Sequence, residues 1–143
     1  MNLFNPTKDE VREFFCNSWK KHQAQSVLTP MESIAARWIV EHPEYQAILG
    51  DLEQAKALDY SPEKGQTNPF LHLSMHMSLT EQIQANQPLG IREIAHALRD
   101  KLASEHDAQH QMMECLGQVI WNAQRQGTAP DMRAYLESLK ALL

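Results

Sequence analysis

The sequence predicts an all-α chain, a helical bundle of five to six main helices in a single domain spanning residues 1–143. Helix-start signatures recur along it, apolar residues repeat at three- and four-residue spacing, and no segment alternates β-branched residues at period two. Size and composition agree with that class. A chain of 143 residues has the length of one globular domain, and 43% apolar with 22% charged residues suits a packed interior beneath a solvated surface. Helices with one apolar face bury it most economically against one another.

The first helix opens at Thr7-Lys8-Asp9-Glu10, a capping box in which hydroxyl and carboxylate each satisfy a backbone N–H of the first turn. Its inward stripe is Val11, Phe14, Phe15, Ser18, Trp19 and His22. Thr29-Pro30-Met31-Glu32 repeats the device with proline at the first helical position. Met31, Ile34, Ala35, Trp38 and His42 form the stripe that Pro43 interrupts. Two short helices are expected between residues 43 and 58, the second capped by Asp51. Residues 59–67 hold Pro62 and Gly65 and read as the longest loop. Asn68-Pro69 then caps a helix running to the neighbourhood of Gln87, where Pro88 and Gly90 stop it. Ile91, Ile94, Ala95, Leu98 and Leu102 mark the next helix. A break or kink at Ser104, in preference to one unbroken helix, separates it from a segment that ends near Gly127. The terminal helix starts at Pro130-Asp131, with Met132, Tyr135, Leu136 and Leu139 inward. Trp19, Trp38 and Trp121 read as core anchors.

Charge and motif content exclude several functions. The net charge is −5 and no basic run exceeds Lys20-Lys21, whereas phosphate binding needs clustered Lys and Arg. No nucleic-acid partner is therefore expected. No apolar stretch approaches the ~18 residues that span a bilayer. The first residues, Met1 to Pro6, lack a basic region followed by an apolar run, so a cytoplasmic protein with no membrane partner is expected. Cys16 and Cys115 are far apart and form no CxxC. HExxH, GxSxG, a Gly-rich phosphate loop and the dinucleotide fingerprint are all missing, as are the paired ExxH motifs of di-iron bundles.

The histidines are the informative residues. There are seven, and four form two pairs at i, i+4: His72 with His76, and His106 with His110. Residues at that spacing share a helix face. On a helical wheel His76 lies about 40° from His72 and Ile83 about 20° from it, so this pair should face the core. The second pair borders the apolar arc of its own helix, with Glu114 one turn beyond His110. Buried imidazoles need partners for their nitrogens, and a metal supplies one. Two His-x3-His pairs on facing helices, with Glu114 added, give a nitrogen-rich set of His72, His76, His106, His110 and Glu114 suited to zinc or iron. His22 and His42 end the inward stripes of their helices as further ligands or supporting partners, and Glu105 and Asp107 are placed to orient imidazole N–H groups. Met75, Met77, Met112 and Met113 flank the pairs and read as adaptable core filler.

Several stretches carry a resemblance: Met1-Asn2-Leu3-Phe4-Asn5-Pro6, Asn68-Pro69-Phe70-Leu71-His72-Leu73-Ser74-Met75-His76, and His106-Asp107-Ala108-Gln109-His110 leading to Met113-Glu114-Cys115-Leu116-Gly117. With Trp121, Ala123-Gln124-Arg125 and Ala134-Tyr135-Leu136, they resemble a family of small uncharacterised proteobacterial proteins filed as domain of unknown function 1841. The resemblance covers nearly the whole chain and implies a bacterial, single-domain, cytoplasmic protein, with no activity attached.

Two functions stay open on this reading. One is a metal-binding bundle holding zinc or non-haem iron, in which an open coordination position would make it an enzyme. The other is a non-enzymatic interaction or adaptor module, with a metal-free histidine network in its core and no cofactor. The terminal helix offers an apolar face to a second copy, as a homodimer, or to a protein partner.

Overall fold

Caps decide where the helices begin. In the computed structural model, which describes residues 6–60 and 68–143, Thr7 Oγ1 accepts from the Glu10 N–H at 3.1 Å and starts α1 (Lys8–Gln23). The N-terminal stretch read for a leader, apart from Pro6, and residues 61–67 of the expected loop lie outside those residues. At the head of α2 (Pro30–Val40) the box closes fully: Glu32 N–H donates to Thr29 Oγ1 at 3.1 Å, and Thr29 N–H donates to Glu32 Oε1 at 2.9 Å. A 3₁₀ turn (Pro43–Tyr45) leads into α3 (Gln46–Leu49), and Asp51 caps α4 (Leu52–Ala57). Asn68 Oδ1 accepts from the Phe70 and Leu71 N–H groups and opens α5 (Pro69–Ala85). Next comes α6 (Ile91–Leu102), ended by Ala103 at φ 56°. Ser104 does break the chain there, accepting from the Asp107 N–H at 3.0 Å to start α7 (Glu105–Gln126). Gly127, at φ 68°, ends α7 in the left-handed conformation that glycine adopts without a Cβ penalty. Asp131 caps α8 (Met132–Lys140).

The described residues thus hold eight α-helices and no strand, where five to six main helices are expected. The difference is α3 and α4, of four and six residues, too short to carry an apolar stripe of their own.

The chain divides into two compact units, Met1–Met77 and Ser78–Leu143, with the boundary inside α5. In the first, Phe15, Trp19, Ala35, Trp38, Ile39, Leu49, Phe70 and Leu73 form the core, with α1 packed on α2 and α4. Arg12 is buried here; its Nη1 donates to the carbonyls of Ala55 and Leu58, each at 2.6 Å, and of Lys56 at 3.3 Å. Those carbonyls belong to the end of α4, where helical geometry leaves them without intrahelical donors. In the second unit Leu79, Ile91, Leu98, Met112, Leu116, Tyr135 and Leu139 are buried. Tyr135 ties α8 to α5 by donating its hydroxyl to Gln82 Oε1 at 2.8 Å, and burial pushes its phenol well above the ordinary range.

Three side chains sit elsewhere than the periodicity implies. Trp121 is 53% exposed, with the Arg125 guanidinium over its ring at 5.2 Å. The buried face of α7 runs through Met112, Leu116, Val119 and Ala123, and Trp121 falls off that face. Met132, expected inward, is exposed at the first position of α8. His22 is exposed too; it lies beyond Trp19, the last buried residue of α1, and stacks on that indole at 5.4 Å. No helix among the described residues is long and apolar enough to cross a membrane.

Candidate metal centre

In the first unit the site begins with a proline. Pro43 disfavours helical geometry at the residue before it, and His42 takes φ −128°, ψ 68°. The His42 N–H consequently bonds to Ile39 O at 3.0 Å instead of to the carbonyl four residues back. That carbonyl, Trp38 O, accepts from the His42 ring instead, at 2.7 Å from Nδ1. With Nδ1–H donating, the neutral ring carries its lone pair on Nε2. Metal-ligating imidazoles are commonly oriented in this way, by a backbone carbonyl on one ring nitrogen.

α5 brings His72 and His76 to the same place. His42 Nε2 lies 3.0 Å from His72 Nε2. Ring centroids are 4.8 Å apart for His42 and His72, and 4.9 Å for both His42 with His76 and His72 with His76. The His76 ring stacks on the Trp38 indole at 4.0 Å and 12°, and Tyr45 stacks parallel on His42 at 5.1 Å. His42 is 2% exposed and His76 0%, whereas His72 is half-buried. Burial also pushes the Tyr45 phenol upward, with the charge of Glu44 adding to it. A 3.0 Å nitrogen–nitrogen separation suits a hydrogen bond, and it is also the spacing of two cis ligands on a metal with bonds of about 2.1 Å.

The second unit holds the other pair. Ser104 starts α7, so His106 sits in its first turn and His110 one turn on, with ring centroids 4.2 Å apart at 71°. Both are half-buried. Gln109, between them in sequence, is 1% exposed and donates its amide to Thr80 Oγ1 at 3.3 Å. Thr80 follows His76 by one turn of α5. Met77, Met112 and Met113 are buried, as filler requires. Glu105, Asp107 and Glu114 are exposed.

Each His-x3-His pair is therefore a pair in space within its own helix. His42 joins the first, and the sequence signal for it was its place at the end of the α2 stripe. The matching signal at His22 led to the surface instead.

Residues 7–141 match the family model described as Domain of unknown function (DUF1841). No curated protein and no solved structure matches the chain.

Proposed function

The chain belongs to the DUF1841 family, whose description assigns no activity, and from its own residues we propose that it holds one transition-metal ion, zinc or non-haem iron. The ligands are His42, His76, His106 and His110, each offering one ring nitrogen. That α5 and α7 present their imidazoles to a common ion is part of the proposal. The observation that carries it is the 2.7 Å contact of His42 Nδ1 with Trp38 O, which in the neutral ring puts the lone pair on Nε2, beside other imidazoles. An all-imidazole set suits zinc, iron, copper or nickel better than magnesium or calcium, which prefer oxygen.

Four nitrogen ligands close a tetrahedral zinc site, whereas six-coordinate iron would keep positions for water or dioxygen. Glu114, exposed beyond His110, falls outside this ligand set, although the sequence pattern included it. Purified protein, reconstituted with zinc or ferrous iron and desalted, should carry one metal per chain by elemental analysis. The His76→Ala/His110→Ala double variant should carry none. Wild-type protein that retains no metal after reconstitution overturns the proposal.

A second reading is favoured by the His42–His72 contact itself, which is a satisfied hydrogen bond without any ion. Here the histidines form a core network in a non-enzymatic interaction module. Partner capture unaffected by chelator, from protein devoid of metal, would support it.

A further inference from the structure

We propose that His72 is an internal competitor for the metal and not one of its ligands; this rests on the metal reading above. In its neutral form, the form that ligates a metal, His42 donates through Nδ1 to Trp38 O, and its Nε2 then accepts. The nitrogen 3.0 Å away, His72 Nε2, must then be the donor, which puts His72 in its Nε2–H form. The lone pair that a metal would take is the one His72 occupies. Uptake at His42 therefore replaces an N–H···N hydrogen bond by an N–metal bond. His72 keeps its proton throughout, and no proton is released from this couple.

Burial shows which ring yields. His42 and His76 are enclosed, with Tyr45 stacked on one and Trp38 on the other, while His72 is half-buried and can turn its N–H to water. It sits on α5 one turn before His76, so its departure leaves the backbone that carries His76 in place. The hydrogen bond thus holds the metal-free site in a ligand-ready geometry and sets a toll on filling it.

The test is a zinc titration against a competing chelator, with association followed by stopped flow, for wild type, His72→Ala and His72→Phe. Both variants should bind zinc about 2- to 12-fold more tightly, the factor that a net hydrogen bond of ordinary strength represents, and should bind it faster. Weaker binding makes His72 a ligand and overturns the inference, and so does unchanged affinity with an unchanged rate. Wild type that binds no zinc defeats the metal reading itself, and the competition with it. Nitrogen-15 NMR of metal-free wild type decides the matter even where the variants fold poorly. His42 should appear protonated at Nδ1 and His72 at Nε2, and the reverse assignment at either ring overturns the inference.

Discussion

A guanidinium that is only 3% exposed costs free energy unless its donors are occupied, and Nη1 of Arg12 donates to three carbonyls at the end of α4. The same contact joins α1 to a helix too short to be stable alone. Replacing it by methionine keeps the aliphatic stem but strands the carbonyls. Arg12→Met should therefore destabilise the fold by about 2–4 kcal/mol in urea denaturation, and a loss below about 0.5 kcal/mol would mean that water replaces the guanidinium without penalty. Nothing local in the sequence distinguishes Arg12 from a solvated arginine, because its partners lie 43 to 46 residues away. His42 was legible as the end of a stripe, but its tautomer was not. That depends on Pro43 diverting a backbone N–H and releasing the Trp38 carbonyl. His72 and His76 were legible as a pair because i, i+4 spacing alone guarantees proximity on a helix.

Among elements, α2 shows how a local motif becomes a tertiary one. Glu32 closes the capping box and also accepts from Lys21 Nζ of α1 at 2.8 Å. The Lys21 ammonium, and then the Thr29 backbone N–H, hold its carboxyl below the usual carboxylate range. A depressed native value stabilises the fold above the unfolded-state pKa, and the gain disappears as pH falls through the lower native one. Glu32→Gln should thus be less stable than wild type at neutral pH. The gap should narrow as pH drops below about 4, the ordinary carboxylate region. A gap that stays constant down to acid would assign the effect to shape and not to charge. The box was readable from four consecutive residues, whereas the lysine that reinforces it was not, being 11 residues back on another helix. Helix starts were generally legible because caps are local. The facing of α7 was less so: Trp121 falls well off its buried face and is exposed, although an aromatic of that size reads as a core residue.

For the molecule as a whole, the absence of strands among the described residues follows from apolar spacing that suits helices throughout. The two short helices inflate the count because a proline and a glycine cut residues 43 to 58 into pieces. Seven histidines in a chain of net charge −5 remain its most unusual property, and five of them lie in two clusters inside compact units. Periodicity shows that such residues share a face but says nothing of which helices meet, since that is set by packing across long sequence separations. Metal binding would couple the two clusters, and acidification should release the ion because imidazole ligates only when neutral. X-ray absorption at the zinc edge of the reconstituted protein reads the ligand shell itself. A shell of about four nitrogens at about 2.0–2.1 Å is expected, with the outer-shell scattering that imidazole rings produce. A six-coordinate, oxygen-dominated shell would contradict it.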